Sequence, residues 1–310
     1  MNKPRPLKKG DQVAIIAPAG PADKEQLTQG KRVLEEMGLD VVLGRHVFDV
    51  EDDIETLDQK RLSDLHEAFR NPAISGIFCA NGGFGTARIA PMIDYAMIKR
   101  NPKIFWGYSD ITYLLNAIQK FSDLVTFHGP MVASDLNDEE RTRETESSIL
   151  SLFTGEPLTY DSRRSPLNPI TSGTGEGRLV GGNLTLLTNG LGTPYQVNAD
   201  EAILLIEEVQ EPAFKVNLML THLQQAGVFD TIKGVVVGHF QAEPDEYKNI
   251  KKVLQDFFAR ASFPVVENFQ IGHCQPNYGV PLGVNARLTT SPSRLEVDAG
   301  VSCFSTNGGG

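Results

Sequence analysis

Residues 105–115 of the chain read FWGYSDITYLL, and they join two structural patterns at one polar corner. The apolar residues that precede Gly107 are typical of a strand. The residues after Asp110 follow a helical spacing, with apolar side chains at positions i, i+3, i+4 and i+7, namely Ile111, Leu114, Leu115 and Ile118. The stretch therefore predicts a strand that turns sharply into a helix, with Ser109 at the turn.

Strands and helices alternate around this corner through the first half of the chain. Apolar strands are predicted over residues 13–19, 40–44, 73–80 and 103–106, with helical patterns between them. Such alternation predicts an α/β fold with a parallel, doubly wound sheet. In these sheets the ligand binds in loops that follow the strands, and both NGGFG (81–85) and GYSD (107–110) lie in such loops.

A change in composition after residue 150 predicts a boundary between two domains. Residues 161–176 are rich in Ser, Pro, Gly and Thr and contain few apolar side chains, which is typical of a connecting segment. We therefore expect an N-terminal α/β domain over residues 1–155, a linker over 156–175 and a C-terminal domain over 176–310. The C-terminal part mixes short strands, glycine turns and helices.

The bulk composition argues against several classes of function. The 310 residues are 40% hydrophobic and 22% charged, and the net charge of −10 disfavours nucleic acid as a partner because phosphate binding needs a basic surface. No apolar run of roughly 18 residues is present, so neither a signal peptide nor a membrane-spanning helix is expected. The cysteines Cys79, Cys274 and Cys303 lack metal-ligand spacing and predict reduced thiols in a cytoplasmic protein.

Ser109 is the first candidate for chemistry. A serine hydroxyl becomes a good nucleophile only when a base takes its proton, and it must also stand clear of its own sheet. A sharp strand-to-helix turn meets the second need, and the small Gly107 permits such a turn. The backbone N–H of Asp110 would then face a developing oxyanion. The competing interpretation is that Ser109 or Asp110 only caps the helix.

The glycine loop NGGFG (81–85) is the second candidate feature. Glycines at the end of a strand allow the backbone to approach a ligand closely, so the N–H of Gly82 or Gly83 could supply a second oxyanion donor. A phosphate cradle is a rival interpretation, but the loop matches neither the P-loop spacing nor the dinucleotide-binding spacing. A simple tight turn also remains open.

Two carboxylates, Glu207 and Glu208, end the apolar strand ILLIEE and should point to opposite sides of the sheet. We expect one to face solvent and the other to enter a cleft, where it could orient a histidine. Both His239 and His273 follow a glycine after an apolar strand, and the residues alone do not choose between them. A metal site is not expected, because no close cluster of ligand residues is present.

Seven blocks of the sequence occur in a fixed order that matches one known family. The blocks are NGGFGTARIAPMID (81–94), NPKIFWGYSDITYL (101–114), TFHGP (126–130), GGNLTLL (181–187), GTPY (192–195), ILLIEEVQEPAFKVNLMLTHL (203–223) and IGHCQPNYGVPLG (271–283). Together they resemble the LD-carboxypeptidase family, serine peptidases that include murein tetrapeptide carboxypeptidase and the microcin C immunity peptidase. The resemblance covers nearly the whole chain.

The resemblance implies a Ser-Glu-His triad in that chain order. Ser109 of GYSD matches the nucleophile, and Glu207, the first carboxylate of IEEV, matches the acid. His273 of GHCQPN matches the base, which selects it over His239.

The same resemblance implies the architecture around the triad. The family looks like a flavodoxin-like N-terminal α/β domain with a parallel sheet, joined to a C-terminal domain that contains a small β-barrel with helices. The serine would come from the first domain, and the glutamate and histidine from the second. The oxyanion hole would combine the backbone N–H of Asp110 with that of Gly82 or Gly83.

For activity, the resemblance implies a serine carboxypeptidase that cuts the L,D-peptide bond before the terminal D-alanine of murein tetrapeptides in peptidoglycan recycling. The expected partners are this small peptide and a second copy of the chain in a homodimer, with no cofactor, metal, nucleic acid or membrane. The alternative within the family is a microcin C immunity-type peptidase that cleaves a peptidyl- or aminoacyl-nucleotide. It predicts an aromatic platform near the site, where Trp106 is the only tryptophan. A non-catalytic ligand-binding protein is the alternative from another class.

The chain departs from the family pattern in two places. The glycine loop commonly begins with arginine, as RGGYG, whereas this chain has Asn81 and Phe84. The first block commonly has Pro-Ser, and here the pair is Pro18-Ala19. Neither change touches the triad. An arginine beside the site can hold a substrate carboxylate, so the identity of the substrate is the inference that these changes affect most.

Overall fold

The computed structural model describes residues 1–51, 53–137 and 139–302. The strands of this part form two sheets. In chain order they are β1 (Gln12–Ile16), β2 (Asp40–Leu43), β3 (Ile74–Cys79), β4 (Ile104–Gly107), β5 (Thr126–His128), β6 (Leu158–Tyr160), β7 (Asn168–Thr171), β8 (Thr174–Asn183), β9 (Ala202–Val209), β10 (Gly234–Gln241), β11 (Val265–Glu267), β12 (Val280–Leu282), β13 (Asn285–Thr290) and β14 (Ser293–Val297). Cys79 and Cys274 are free thiols, and Cys303 lies outside the described residues.

Helices connect most of the parallel strands. They are α1 (Lys24–Glu36), α2 (Ile54–Arg70), α3 (Thr86–Ile89), α4 (Tyr95–Arg100), α5 (Thr112–Ser122), α6 (Val132–Asp135), α7 (Arg143–Thr154), α8 (Leu184–Asn189), α9 (Ala213–Gln225) and α10 (Pro244–Phe258). Half of these helices have an N-cap residue whose side chain accepts a hydrogen bond from a backbone N–H of the first turn. These N-cap residues are Asp23, Asp53, Asp94, Thr142 and Asn183. Within the described ranges, no helix is long and apolar enough to cross a membrane.

The first sheet carries the corner at Ser109. Its strand order is β12-β5-β4-β3-β1-β2, and the pairs from β5 to β2 are parallel, whereas β12 is antiparallel to β5. The order 2-1-3-4-5 is that of flavodoxin-like sheets. Every residue of β3 and β4 is buried, as expected where helices cover both faces of a parallel sheet. The predicted α/β fold with a parallel, flavodoxin-like sheet is confirmed.

The second sheet is mixed. Its order is β6-β14-β13-β8-β9-β10-β11-β7, in which β8, β9, β10 and β11 run parallel and the outer strands pair antiparallel. Among the described residues, no pairing joins the edge strands β6 and β7. The small β-barrel therefore stays a prediction.

The segment predicted to be a linker, residues 156–175, contains ordered strands. Both β6 and β7 lie in it, and they form opposite edges of the second sheet. Edge strands have one side open to solvent and often carry polar residues and proline, so their composition resembles that of a loop. The division into domains at this segment remains a prediction.

Strand β9 separates two regions of the core. Ile203 and Leu205 belong to the apolar core that also contains the first sheet, whereas Leu204 and Ile206 pack with α8, α9 and α10. Successive side chains of a strand point to opposite faces. The next residue on the side of the first sheet is therefore Glu207.

Candidate active site

Ser109 lies at the corner that the sequence predicts. β4 ends at Gly107, a short 3-10 turn covers Ser109–Ile111, and α5 follows. The φ angle of Ser109 is 61°, a left-handed value that is costly for any residue except glycine and that fits a strained nucleophile turn. A Cβ at Gly107 would lie 2.9 Å from Cys79 Cβ, so the strand end needs glycine there.

Two side chains from the second half of the chain meet Ser109. Ser109 Oγ lies 3.2 Å from His273 Nε2, and Nδ1 of the same ring lies 2.7 Å from Glu207 Oε2. Glu207 is fully buried, whereas the side chain of His273 is 14% exposed. The structure therefore brings the three predicted residues together in one line of contacts that leads from the buried carboxylate to the half-buried serine.

The loop after β11 holds His273 in place. The N–H of Gly272 donates to Asn277 Oδ1 at 3.0 Å, and the N–H of Asn277 donates to Thr145 Oγ1 of α7, also at 3.0 Å. The ring of His273 packs against the ring of Tyr108, with centroids 4.8 Å apart. Contacts with α7 and with the corner after β4 thus fix the orientation of the imidazole.

Burial and charge determine the protonation states of Glu207 and His273. Burial opposes ionisation of Glu207, but the charge of His273 and the contacts with His128 and His273 outweigh it and lower the pKa of Glu207 to about 2. Burial also disfavours charged His273, but the Glu207 carboxylate outweighs that effect and raises the pKa of His273. Because an ionised carboxylate only accepts hydrogen bonds, Nδ1 of His273 carries a proton and Nε2 can accept one from Ser109.

The glycine loop lies directly against Ser109. A Cβ at Gly82 would lie 3.0 Å from Ser109 Oγ, which is tighter than most real Cβ contacts, so a side chain there would require the hydroxyl or the loop to shift. The carbonyl of Gly82 accepts the N–H of Gly20 at 2.8 Å. Since a trans peptide is planar, the N–H of Gly83 points the opposite way, away from Gly20. This orientation favours Gly83 over Gly82 as the candidate for the second oxyanion donor.

Asp110 ties the corner to the glycine loop. Its carboxylate accepts the N–H of Thr86 at 3.0 Å, and its backbone carbonyl accepts Thr86 Oγ1–H at 2.6 Å. Thr86 is the first residue of α3, directly after the loop. Burial raises the pKa of the Asp110 carboxyl. The side chain of Asp110 therefore has a structural partner, and the backbone N–H is the group that a ligand could use.

The expectation that one carboxylate of the IEEV block faces solvent is wrong. Glu208 is only 3% exposed. It accepts hydrogen bonds from Asn183 Nδ2 at 2.9 Å and from the N–H and Oγ1–H of Thr185 at 2.8 Å. Glu208 thus binds the first turn of α8, where unpaired backbone N–H groups favour a carboxylate.

His239 takes no part in the line of contacts. Its ring is half-buried and stacks on the ring of Tyr247, with centroids 5.9 Å apart. Its backbone N–H donates to the carbonyl of Ile271 at 3.0 Å, which holds β10 beside the loop of His273. Of the two histidines that the residues left open, the structure brings His273 to Ser109.

Sequence reasoning missed three buried residues around the line. Tyr108 OH donates to Asp135 Oδ1 at 2.9 Å, and the Tyr108 ring also contacts that of His128, with centroids 5.5 Å apart. His128 Nε2 lies 3.7 Å from Glu207 Oε1. Neither periodicity nor spacing links these residues. Two of them lie in blocks that the family resemblance uses, His128 in TFHGP (126–130) and Tyr108 in NPKIFWGYSDITYL (101–114), but neither residue was given a role.

The ionisable groups of the site pair with one another and do not converge on one point. Glu207 contacts His273 and His128, and Asp135 contacts Tyr108. In the part of the chain that the structure describes, no group of three or more His, Cys, Asp or Glu is placed to hold a metal ion. The arrangement suits proton transfer between a serine, a histidine and a carboxylate.

Comparison with known proteins identifies both halves of the chain. Residues 13–129 match the LD-carboxypeptidase N-terminal domain, and residues 176–288 match the LD-carboxypeptidase C-terminal domain. A protein of Bacillus subtilis strain 168 named probable murein peptide carboxypeptidase is 40% identical over 304 residues, which cover 97% of this chain and 95% of that protein. The chain belongs to the LD-carboxypeptidase family.

Solved structures agree with this assignment. A muramoyltetrapeptide carboxypeptidase from Oxalobacter formigenes has a TM-score of 0.82 at 27% identity, covering 94% of this chain and all of that chain (100%). The microcin C7 self immunity protein MccF, in its wild-type apo state, shares the fold with a TM-score of 0.88 at 24% identity, covering 97% of this chain and 100% of that chain. The resemblance read from the seven blocks is confirmed, and so is the prediction of an LD-carboxypeptidase enzyme.

Proposed function

We propose that this LD-carboxypeptidase is a serine carboxypeptidase that hydrolyses the L,D-peptide bond before the terminal D-alanine of murein tetrapeptides. The observation that carries the proposal is the line from Ser109 through His273 to Glu207, with distances of 3.2 and 2.7 Å. The names of the Bacillus subtilis and Oxalobacter formigenes relatives, which refer to murein peptide and muramoyltetrapeptide, support the substrate.

In the first half of the proposed reaction, Ser109 Oγ attacks the carbonyl carbon that precedes D-alanine. His273 Nε2 takes the hydroxyl proton and then gives it to the leaving amine as the C–N bond breaks. Glu207 holds the Nδ1 proton of His273 and stabilises the imidazolium. Free D-alanine leaves, and the rest of the peptide stays as an ester on Ser109.

In the second half, a water molecule replaces D-alanine. His273 takes a proton from this water, and the resulting hydroxide attacks the ester carbonyl. The proton then returns to Ser109 Oγ as the ester bond breaks. The tripeptide leaves with a free carboxylate, and the enzyme is restored.

Both halves pass through a tetrahedral intermediate with a negative oxygen. We assign its stabilisation to the backbone N–H of Asp110 and to that of Gly83, with Gly82 as the second choice within the loop. The Asp110 N–H lies in the turn that presents the nucleophile, and the carbonyl contact with Gly20 orients the Gly83 peptide. Donors fixed before the reaction stabilise the developing charge without reorganisation.

The cellular setting and the assembly belong to the same proposal. We infer a role in peptidoglycan recycling in the cytoplasm, which the free thiols of Cys79 and Cys274 support because disulfides are rare there. We also propose a homodimer, as the family resemblance implies. Sedimentation of the purified protein at several concentrations tests the assembly.

The proposed domain division is 1–155, a connecting segment 156–175 and 176–310. The family matches support it, because one ends at residue 129 and the other begins at residue 176. Under this division Ser109 comes from the first domain. Glu207 and His273 come from the second.

The test of the substrate compares three compounds with the wild-type protein. They are purified murein tetrapeptide, its diastereomer that ends in L-alanine, and a peptidyl-nucleotide, and the released alanine or nucleotide is measured by chromatography. We expect release of D-alanine from the first compound and negligible turnover of the other two. Turnover of the peptidyl-nucleotide without release of D-alanine would contradict the proposed substrate.

The peptidyl-nucleotide compound is included because one observation favours it. The aromatic platform that this alternative needs is not Trp106, which is 1% exposed and donates its ring N–H to the carbonyl of Pro130 at 2.7 Å. Phe84 is 62% exposed, however, and belongs to the loop that packs against Ser109 at Gly82, although Arg61 lies over its ring with Cζ 5.8 Å from the ring centroid. If adenine stacks there, Phe84→Ala lowers turnover of the nucleotide and not of the tetrapeptide.

A further inference from the structure

The second oxygen of Glu207 faces a buried ring. Glu207 Oε2 accepts from His273, whereas Oε1 has no hydrogen-bond partner among the described residues. The side chain is fully buried, and its lowered pKa of about 2 means that it is ionised. A buried carboxylate oxygen without a hydrogen-bond partner lowers the stability of the fold. A polar group that faces such an oxygen is therefore a candidate hydrogen-bond donor. The ring nitrogen that faces Glu207 Oε1 is His128 Nε2, at 3.7 Å.

His128 is itself unusual. It is the last residue of β5 and is fully buried, yet within the described ranges neither ring nitrogen has a partner at hydrogen-bond distance. Buried polar groups are nearly always hydrogen-bonded. Two unpartnered polar groups therefore face each other across the site, on β5 of the first sheet and on β9 of the second.

The Tyr108 ring links the two histidines. Its centroid is 5.5 Å from that of His128 and 4.8 Å from that of His273. Its hydroxyl is directed to Asp135, which also accepts the N–H of Met131 at 2.9 Å. The Asp135 carboxylate therefore already accepts hydrogen bonds from Tyr108 and Met131. Glu207 is the carboxylate that remains available to accept one from His128.

We propose that His128 is a positioning residue for the hydrolytic reaction, whose Nε2–H holds Glu207 Oε1 and extends the line Ser109–His273–Glu207 by a fourth member. This inference rests on the proposed function, because it needs Ser109 and His273 to act as nucleophile and base. His128 touches neither the substrate nor the reacting atoms. It acts by fixing the position of the Glu207 carboxylate and by withdrawing negative charge from its Oε1 atom through a hydrogen bond.

Of the remaining ionisable groups near His273, Cys274 follows it in the same loop and the others lie on other elements. Glu208 of β9 is held by α8, and His239 of β10 stacks on Tyr247. Asp135 of α6 is bound by Tyr108, and burial keeps the thiol of Cys274 protonated by raising its pKa. None of these groups is a hydrogen-bond partner of Glu207 Oε1.

Loss of the His128 donor is expected to raise the pKa of His273, the proposed base. A hydrogen bond to Oε1 withdraws negative charge from the carboxylate. Without it Glu207 becomes more basic and holds the proton of His273 more strongly, which raises the pKa of His273. The neutral form of His273 that activates Ser109 then appears only at higher pH.

The test uses labelling of the intact protein by a fluorophosphonate, which reacts with an activated serine whatever the natural peptide is. The wild type is compared with His128→Phe, which fills the space without a donor, and with His128→Gln, which keeps an N–H. The second-order labelling rate is measured against pH, and the thermal midpoint of each variant is measured alongside. Ser109→Ala gives the background.

We expect the rate for His128→Phe to fall about 10- to 100-fold, as for loss of a hydrogen bond to a charged group, and its pH midpoint to rise. His128→Gln should recover most of the rate and the wild-type midpoint. A purely structural role would lower the thermal midpoint of both variants without moving the pH midpoint.

Two results would overturn the inference. One is a pH midpoint of His128→Phe that is unchanged or lower than that of the wild type. The other is a rate for His128→Gln that falls as far as that for His128→Phe. Either result with a wild type that labels at Ser109 leaves the proposed function standing, whereas release of no D-alanine by a wild type that labels would refute only the substrate.

Discussion

At the scale of single residues, the site depends on backbone positions that few side chains tolerate. Ser109 has a left-handed φ angle of 61°, a conformation that costs about 1–3 kcal/mol. Gly82 packs closely against its hydroxyl, and a Cβ atom there would lie 3.0 Å from Oγ. These two features fix the hydroxyl relative to the N–H groups of the glycine loop, and they explain why a serine stands on so abrupt a corner.

Gly82→Ala tests this close approach. The new Cβ would lie 3.0 Å from Ser109 Oγ, so the hydroxyl or the loop must move. We expect kcat/KM for D-alanine release to fall by about 10²- to 10³-fold, as for loss of an oxyanion donor. Gly190→Ala is the control, because its Cβ would meet ordinary contacts at 3.4 Å or more. Wild-type activity in Gly82→Ala would show that the loop does not form part of the site.

The negative charge of Glu207 should affect the pH dependence of kcat/KM. Glu207 raises the pKa of His273, and His273 acts as a base only when neutral, so kcat/KM should fall as pH drops through this raised pKa. In Glu207→Gln the charge is lost and burial dominates, which lowers the pKa of His273. The acid limb should move to lower pH, while kcat falls by about 10³- to 10⁴-fold because the tautomer is no longer fixed. An acid limb that stays in place would contradict this coupling.

The residues that the sequence could predict are those with local signals. A serine between an apolar strand and a helix and a glycine loop after a strand are visible in a few letters. The choice of His273 over His239 came only from resemblance to a family. The contact of His128 with Glu207 joins residues far apart in the chain, and burial on both sheets is the property that reveals it.

At the scale of elements, the two faces of β9 carry glutamates with different roles. Glu207 contacts His273, and Glu208 binds the first turn of α8. Strand alternation sends Glu207 toward the first sheet and Glu208 toward α8. The sequence predicts the alternation, but it does not show that the second face is covered by a helix whose N–H groups need a carboxylate. Both glutamates are therefore buried.

Glu208→Gln separates these two functions. The substitution places an amide where Asn183 and Thr185 donate, so one donor is left unpaired. We expect the free energy of unfolding in urea to fall by about 1–3 kcal/mol, with kcat nearly unchanged. Loss of kcat at wild-type stability would mean that Glu208, and not only Glu207, acts in the reaction.

Prediction of the elements was most accurate in the first half. The strands expected at 73–80 and 103–106 correspond to β3 and β4, because fully buried parallel strands are continuous apolar runs. The edge strands β6 and β7 were read as a linker. Pairing of β12 with β5, across about half of the chain, is set by tertiary packing and leaves no local pattern.

At the scale of the whole molecule, the site is assembled from both sheets. The core cluster that contains Trp106 of the first sheet also contains Leu205 and Val236 of the second. Shared apolar burial of this kind couples the two parts energetically. The line of contacts from Ser109 to Glu207 crosses between the sheets and needs this coupling, because a small displacement would separate Ser109 from His273.

Unfolding should therefore be one cooperative transition. Trp106 is the only tryptophan, it is buried in the first sheet, and its fluorescence reports on that sheet. Far-UV circular dichroism reports on the whole molecule. We expect the two signals to coincide in a urea titration. A fluorescence transition that clearly precedes or follows the other would show that the sheets unfold independently.

The nucleophilic role of Ser109 is tested by measuring D-alanine release from purified murein tetrapeptide by the wild type, Ser109→Ala and Ser122→Ala. Ser122 ends α5 and donates to the carbonyl of Tyr95 at 3.0 Å, so its loss controls for removal of a serine hydroxyl from the same region. If Ser109 is the nucleophile, the wild type and Ser122→Ala release D-alanine, and the rate falls about 10⁴-fold or more in Ser109→Ala. A near-wild-type rate of release by Ser109→Ala would show that Ser109 is not the nucleophile.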